Sequence, residues 1–351
     1  MSERLNLLQG ETTRRGSRRQ IDHSGGTARG LRRAGFILLG IVAMGGALLG
    51  FMAARAVGPI AVSFRIPGAA KSGGAGPAGA AQPLFAAPNQ YGTRLAPASE
   101  RVSVQLKLGL RSGLLFDVRS GEVLWELHPQ RVLPIASLTK MMTALIVAAH
   151  SRPTDRVLIT PAAVHFSGSG VGLLPVHKRV PLLPLLYGLL LPSGNDAAIA
   201  LAQHVAGTQQ RFVAMMNAQA EALGLRCTQF ASVSGIIDQG NHSCAPDLAL
   251  MARLVLQQPL LARIVASRSA ILPFPIKGGK LYLYNNNPLL VMGYPGTDGV
   301  KTGYTGASGP CLVAAVRRGR AWLGVVLLHS ADTIDQAEKL FAAGFAKLGA
   351  R

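Results

Sequence analysis

One run of 21 uncharged residues, AGFILLGIVAMGGALLGFMAA at 34–54, divides this chain and constrains its fold more than any other feature. At a helical rise of about 1.5 Å per residue, the run is long enough to cross a hydrocarbon layer of about 30 Å. It is apolar on every face, whereas a helix of a soluble domain normally has a polar side. We therefore predict a transmembrane anchor, with folded structure on one side of it.

The charges before this run predict its orientation. Residues 1–33 carry eight basic and three acidic side chains, and segments rich in arginine or lysine stay in the cytoplasm. We expect a cytoplasmic tail at 1–33, a single pass through the inner membrane, and a periplasmic location for everything after Arg55. A cleaved signal peptide is the alternative, because Ala54-Arg55-Ala56 has small residues at both ends, but its apolar region usually has only about 7–15 residues.

Residues 55–100 predict a flexible linker. They include the tract GGAGPAGAAQP at 73–83, and a segment of this composition buries too little apolar surface to offset the entropy lost on ordering. The linker would hold a domain over 101–351 away from the bilayer.

The pattern over 101–351 predicts an α+β domain. An early β-hairpin and three late strands would form an antiparallel sheet built from both ends of the domain. Helices at intermediate positions would flank that sheet and form an inserted helical subdomain. The predicted hairpin lies at 112–127, the late strands at 299–305, 311–317 and 321–328, and the helices at 137–150, 182–191, 197–205, 210–223, 247–256 and 335–348.

The charge balance limits the classes of partner. The chain has 36 Lys and Arg against 16 Asp and Glu, a net charge of +20, yet only 15% of it is charged and 49% is hydrophobic. This composition excludes a disordered polyelectrolyte. A basic surface attracts nucleic acid, lipid headgroups or anionic wall polymers. We expect no nucleic-acid partner, because the domain is predicted to be exported and no basic-aromatic recognition motif is present.

The three cysteines and eight histidines indicate neither a disulfide framework nor a metal centre. Cys311 lies in an apolar run and should be buried. A disulfide between Cys227 and Cys244 is compatible with an exported domain, but the spacing leaves it open. No two histidines have helical i, i+4 spacing, so we expect neither a metal nor another cofactor.

The first candidate for chemistry is the tetrapeptide that begins at Ser137 and ends at Lys140. On a helix, this spacing puts a hydroxyl and an amine on one face, within a turn of each other. The lysine can deprotonate the serine only if its own pKa is lowered. Alone, the motif is weak, because a helix-capping serine followed by a surface lysine has the same spacing.

Two further triplets strengthen this motif. Ser193-Gly194-Asn195 follows a proline in a predicted turn between helices, and Lys301-Thr302-Gly303 lies in a strand-like segment. Each alone fits an ordinary turn or strand end. Together with the Ser-x-x-Lys motif, and in this order, they match the signature of penicillin-recognising serine enzymes.

Residues 101–350 resemble the low-molecular-weight D-alanyl-D-alanine carboxypeptidases, which are serine peptidases among the penicillin-binding proteins. The blocks 135–144, 192–198 and 298–305 are similar to the three signature blocks of that family, and 216–225 is similar to the helix after the second block. The resemblance implies the penicillin-binding or serine β-lactamase-like fold. It also implies removal of the terminal D-alanine from peptidoglycan stem pentapeptides through an acyl-enzyme, with β-lactams as covalent inhibitors.

The resemblance also implies a role for each residue of the reacting set. Ser137 would be the acylated nucleophile and Lys140 its base, while Ser193 would relay a proton to the leaving D-alanine. The second cation, Lys301, would lower the pKa of Lys140 by like-charge repulsion and attract the terminal carboxylate of the peptide.

The remaining implied roles concern substrate binding. Asn195 would bind a substrate amide and Thr302 the terminal carboxylate, while Gly303 would leave space for the substrate along the strand edge. The backbone N–H groups of Ser137 and Tyr304 would form the oxyanion hole.

Three alternative functions stay open. An endopeptidase that cuts D-alanyl cross-links would use the same residues. A class A β-lactamase needs a glutamate for deacylation, and the only glutamate between Asn195 and Lys301 is Glu221, followed by Ala-Leu-Gly-Leu instead of the expected Leu-Asn ending. A catalytically inactive wall-binding module would require a disrupted arrangement of Ser137 and Lys140.

Overall fold

The computed structural model describes residues 92–172 and 174–350. The predicted cytoplasmic tail, the predicted anchor and the predicted linker as far as residue 91 lie outside these residues. Within the described ranges, no single helix combines the length and the apolar composition needed to cross a membrane. The helices Ala245–Gln257 and Pro259–Val265 together have that length and composition, but they are bent by 105° relative to each other.

The described residues contain twelve β-strands, several of them only two or three residues long. The strands are β1 Arg94–Leu95, β2 Leu110–Asp117, β3 Glu122–Leu127, β4 Leu133–Pro134, β5 Arg156–Leu158, β6 Arg179–Pro181, β7 His242–Ser243, β8 Ser269–Pro273, β9 Lys280–Tyr284, β10 Thr297–Gly303, β11 Cys311–Arg318 and β12 Ala321–Ser330.

Nine α-helices occur in the same described residues, and all but the last lie between β4 and β10. They are α1 Lys140–His150, α2 Pro161–Val164, α3 Leu182–Leu190, α4 Asn195–Ala206, α5 Gln209–Ala222, α6 Ala245–Gln257, α7 Pro259–Val265, α8 Pro288–Met292 and α9 Thr333–Lys347. A 3₁₀ turn, Ala136–Thr139, precedes α1, and we refer to it as the Ser137 turn.

The main sheet has six strands in the order β1-β3-β2-β12-β11-β10. Neighbouring strands are antiparallel except for β1 and β3, which are parallel. Because β1–β3 come from the start of the domain and β10–β12 from its end, the sheet confirms the prediction of an antiparallel sheet assembled from both ends, with helices inserted between them.

Helices cover both faces of this sheet. Along β11, Leu312 and Ala314 belong to the cluster formed with α9, while Val313 and Ala315 belong to the larger cluster formed with the inserted helices. Successive side chains of a strand point to opposite faces, so the continuous apolar run of β11 reflects burial on both sides. The last strands are therefore central, and β10 forms the edge nearest the Ser137 turn.

The ordered domain begins before residue 101. Arg94 and Leu95 pair with Glu122 and Val123 of β3, although both lie in the range predicted as linker. The buried guanidinium of Arg253 donates hydrogen bonds to Gly92 O at 3.1 Å, Val118 O at 2.8 Å and Arg119 O at 2.7 Å. These contacts come from a distant helix, so composition alone could not place the boundary.

The cysteines are arranged in two ways. Cys227 and Cys244 form a disulfide with their Cα atoms 5.5 Å apart, which settles the pairing that sequence spacing left open. Cys311 is a free, buried thiol, as its apolar neighbours predicted, and burial raises its pKa to about 11. The disulfide lies between α5 and α6, and the segment that it closes reaches the candidate site.

Candidate active site

Ser137 lies in a tight turn immediately before α1. Ile135 and Leu138 are fully buried and anchor this turn in the core, whereas Ser137 stays partly exposed. Leu138 N donates to Ile135 O at 3.1 Å, and Ala136 adopts a φ of +47°, which is unusual for a residue other than glycine. The helix predicted to begin at Ser137 becomes α-helical only at Lys140, because the first turn is 3₁₀.

The amine of Lys140 is fully buried and lies among three acceptors. Its Nζ is 2.9 Å from Ser137 Oγ, 2.7 Å from Asn195 Oδ1 and 2.8 Å from Ser234 O. A neutral amine has two N–H groups and one lone pair. If the two N–H groups donate to Asn195 and Ser234, the lone pair faces the Ser137 hydroxyl, which is the geometry that a general base needs.

The two buried lysines of this site both have a lowered pKa. Burial lowers the pKa of Lys140 well below its usual value, and repulsion from Lys301 lowers that pKa further, while the Asp196 carboxylate opposes both effects. Burial also lowers the pKa of Lys301, to about 7. Repulsion by Lys301 therefore acts as the sequence predicted, but loss of hydration is the larger cause of the shift at Lys140.

The second triplet forms the turn between α3 and α4. Ser193 has a φ of +66°, and its buried hydroxyl has no hydrogen-bond partner among the described atoms. Asn195 Nδ2 donates to Ser167 O at 2.5 Å. Because its Oδ1 also accepts from Lys140, Asn195 orients the lysine in addition to the substrate role predicted for it.

The Asp196 carboxylate fixes the same turn. It accepts hydrogen bonds from Val171 N and Gly172 N, both at 2.9 Å. Asp196 was part of a signature block but received no predicted role. It holds the 167–172 segment beside Asn195 and is the negative charge that acts on Lys140.

The third triplet lies at the end of β10, where Lys301 and Gly303 share one face of the strand. Lys301 is buried, and its Nζ donates to Thr302 O at 2.8 Å. A Cβ atom on Gly303 would lie 2.9 Å from Ile135 O and 3.3 Å from Leu138 N. Gly303 therefore lets β10 approach the Ser137 turn, which is a different reason for glycine from the predicted space for substrate. Tyr304 follows at the strand end and is 71% exposed.

Sequence reasoning missed the contribution of the segment around Ser234. Ser234 O accepts from Lys140, and Val233 O accepts from Thr143 Oγ1 at 2.7 Å. Gly235 has a φ of +78°, and a Cβ atom there would lie 1.9 Å from Ala136 O, a separation that no structure tolerates. A Ser-Gly pair is a turn signal, but nothing in the sequence connects it to a lysine 94 residues away.

A family model described as D-alanyl-D-alanine carboxypeptidase matches residues 100–332. The chain belongs to the D-alanyl-D-alanine carboxypeptidase family. This membership agrees with the resemblance drawn from the three motifs, and the matched range contains Ser137, Ser193 and Lys301 together with the residues that follow them in each triplet.

Curated relatives in this D-alanyl-D-alanine carboxypeptidase family match most of the domain. The D-alanyl-D-alanine carboxypeptidase DacF of Bacillus subtilis is 33% identical over 214 residues, which are 60% of this chain and 54% of that protein. DacC of Escherichia coli is 34% identical over 261 residues, 71% of this chain and 64% of that protein. The chain thus spans between half and two thirds of the length of these relatives.

Solved structures of similar proteins share the fold. A Streptomyces DD-transpeptidase is 30% identical with a TM-score of 0.65, and the match covers 70% of this chain and all of that one. The D-alanyl-D-alanine carboxypeptidase of Mycobacterium tuberculosis is 32% identical with a TM-score of 0.64, covering 70% of this chain and 96% of that one. The penicillin-binding fold predicted for the domain is confirmed.

Two of the alternative functions, a β-lactamase and an inactive wall-binding module, can be compared with the geometry of the site. Glu221 is an exposed residue of α5 and borders a cavity of about 640 Å³ together with Asn217, Arg226 and Cys227. That cavity contains no residue of the three triplets, so Glu221 is not positioned to serve a β-lactamase reaction at Ser137. An inactive wall-binding module would lack the 2.9 Å contact between Lys140 and Ser137, which is present.

Proposed function

We propose that this protein is a serine-type D-Ala-D-Ala carboxypeptidase that removes the terminal D-alanine from peptidoglycan stem pentapeptides. The observation that carries the proposal is the buried Lys140 amine, 2.9 Å from Ser137 Oγ and held by two other acceptors. Membership of the carboxypeptidase family supports it.

Acylation would begin with Lys140 accepting the Ser137 hydroxyl proton as Oγ attacks the carbonyl carbon of the penultimate D-alanine. The new C–O bond gives a tetrahedral oxyanion, which the backbone N–H groups of Ser137 and Tyr304 would bind; one such donor is typically worth about 10²–10³ in rate. When the C–N bond breaks, the proton passes from Lys140 to the leaving D-alanine amine, with Ser193 as relay. Water then hydrolyses the ester and regenerates Ser137.

Substrate recognition would use the opposite side of the cleft. The charged Lys301 would attract the terminal carboxylate, and the Thr302 hydroxyl would donate a hydrogen bond to it. Asn195 would hold a substrate amide through its remaining N–H group. A β-lactam carries a carboxylate beside a reactive amide, so it would acylate the same serine and act as a covalent inhibitor.

We also propose a location for the protein, with an anchor in the inner membrane. The apolar run at 34–54 and the basic tail before it support an inner-membrane anchor with the catalytic domain in the periplasm. We expect the full chain to stay in the membrane fraction after an alkaline carbonate wash, with residues 1–33 still attached. Release by the wash, or loss of residues 1–54 from the mature protein, would contradict the anchor.

The proposed activity is tested by incubating the protein with a pentapeptide that ends in D-Ala-D-Ala and measuring free D-alanine. We expect one D-alanine to be released for each pentapeptide consumed. The Ser137→Ala protein should release none. Isolated cross-linked muropeptides provide the second arm, because a relative in Pseudomonas aeruginosa, 32% identical over 237 residues, is named a D-alanyl-D-alanine endopeptidase. Conversion of dimers to monomers without release of D-alanine from the pentapeptide would assign the endopeptidase reaction instead.

A further inference from the structure

The segment from Cys227 to Cys244 is closed by a disulfide at its base and contacts both the Ser137 turn with Lys140 and the turn after β10. We propose that this segment positions Lys140 and the two oxyanion-hole N–H groups together, so that the disulfide at its base sets the rate of Ser137 acylation. The proposal rests on the proposed function for the identity of the reaction, but it concerns residues outside the three triplets.

The base of the segment is held by covalent and polar contacts. The Cys227–Cys244 disulfide closes a sequence separation of 17. Just inside it, Gln229 and His242 exchange two backbone hydrogen bonds of 3.0 and 3.1 Å. Asp247, at the start of α6, accepts from Cys227 N at 2.9 Å. The segment therefore leaves the helical subdomain and returns to it at one fixed point.

Inside the segment, the buried side chain of Asn241 holds the backbone in one shape. Its Oδ1 accepts from Ala231 N at 3.0 Å, and its Nδ2 donates to Ser232 Oγ at 2.9 Å and to Ile237 O. These contacts organise the backbone of a segment that contains no helix and only a two-residue strand. Closure at the base and this amide act together with contacts from neighbouring elements, such as the Asn217 side chain, which bonds both Phe230 N and Phe230 O at 2.8 Å.

One side of the segment contacts Lys140 and the Ser137 turn. Ser234 O lies 2.8 Å from Lys140 Nζ and takes one of the two N–H groups of the neutral amine. Gly235 packs against the carbonyl of Ala136, where a Cβ atom would lie 1.9 Å from the oxygen and 2.5 Å from the carbon. That carbonyl belongs to the same planar peptide group as the N–H of Ser137, so Gly235 fixes the direction of the first oxyanion-hole donor.

The other side of the segment contacts the turn after β10. Thr305 Oγ1 donates to Asp238 Oδ1 at 2.5 Å, and Thr305 N donates to Ser308 Oγ at 2.9 Å. Thr305 directly follows Tyr304, whose N–H is the second predicted oxyanion-hole donor. A single segment closed by a disulfide thus contacts residues next to both predicted oxyanion-hole donors. It also contacts Lys140, the proposed general base.

Opening the disulfide would release this arrangement. A chain segment whose ends are no longer joined regains conformational entropy, and Ser234 O and the Asp238 carboxylate would then spend less time at their partners. Displacement of catalytic groups by about 1 Å costs about 100-fold in rate. We therefore expect the saturating acylation rate to fall by about 10- to 100-fold, while reversible binding of the β-lactam before acylation changes little.

The test uses the full-length protein and a fluorescent penicillin, with acylation followed over a range of penicillin concentrations. The Cys227→Ser/Cys244→Ser double variant should show the lower saturating rate with a nearly unchanged half-saturating concentration. Reductant should lower the rate of the wild-type protein to that of the double variant, and reoxidation should restore it. The double variant itself should not respond to reductant, which controls for other effects of the reagent.

Asp238 gives a second test that leaves the disulfide intact. Asp238→Ala removes the acceptor for Thr305 and should lower the saturating rate, whereas Asp238→Asn retains an acceptor oxygen and should restore most of it. Melting temperatures above the assay temperature must accompany each rate. Acylation of the folded double variant and of folded Asp238→Ala at the wild-type rate would overturn the proposal, whereas a wild-type protein that penicillin does not acylate would instead overturn the proposed function.

Discussion

Alanine at position 137 is expected to abolish covalent labelling of the protein by a fluorescent penicillin. Ser137 Oγ is the only hydroxyl within hydrogen-bond distance of Lys140 Nζ in the described structure, so its removal leaves no activated nucleophile. The change deletes one oxygen of a partly exposed residue from a turn anchored by Ile135 and Leu138, and the fold should therefore persist. The measurement is in-gel fluorescence after denaturation, which detects only covalent adducts.

Ser120→Ala is the matched control for this prediction, because Ser120 is an exposed hydroxyl in the turn between β2 and β3. It should be labelled like the wild-type protein. Labelling of Ser137→Ala at the wild-type rate would show that another residue carries the acyl group, and it would remove the nucleophile assignment.

Replacement of Lys140 by methionine is expected to have the second-largest effect. Methionine fills a similar volume without a charge or a basic lone pair, so the contacts of this side chain with α4 and with the segment from Cys227 to Cys244 keep most of their packing. Loss of a general base typically lowers a rate by about 10²–10⁴-fold. The second-order rate constant for penicillin acylation should fall by that factor.

The control is Lys339→Met on the partly exposed face of α9, where the amine forms an ion pair with Asp335 at 2.7 Å and with no other carboxylate among the described residues. Surface pairs of this kind contribute little to stability, so this variant should acylate normally. A Lys140→Met rate within about threefold of the wild-type rate would mean that the base is another group.

The sequence predicted the fold through particular elements. The apolar run of β11 and the short turn into β12 predicted two late strands of the sheet, and helical spacing located α3 to α6 within about two residues. It did not predict the hairpin β8–β9 or the helices α7 and α8. The apolar patterns of these elements are short and are interrupted by proline and glycine. Strand β1 was also not predicted, because it forms by pairing with β3. The distant Arg253 also holds the chain just before it, by a hydrogen bond to Gly92 O.

The sequence predicted the candidate site only at the residues of the three motifs. The Ser137–Lys140 spacing specifies a local contact, and the structure contains it. The close approach of Gly303 to the Ser137 turn was not predicted, because the sequence cannot reveal that the strand packs there. Ser234, Gly235 and Asp238 were missed for the same reason: each acts through a residue far away in the chain. The catalytic and binding roles themselves stay predictions.

The central claim is that Lys140 is neutral and Lys301 charged when Ser137 reacts, and the pH dependence of the second-order acylation rate tests it most directly. The lowered pKa of Lys140 supplies the neutral base on the alkaline side of that pKa, so the rate should rise with pH through it. Since the pKa of Lys301 is lowered to about 7, its charge, and with it the rate, should decline above that pH. The account predicts a bell-shaped profile with its alkaline limb near neutrality. A rate that keeps rising to about pH 10, where an ordinary lysine loses its proton, would contradict it.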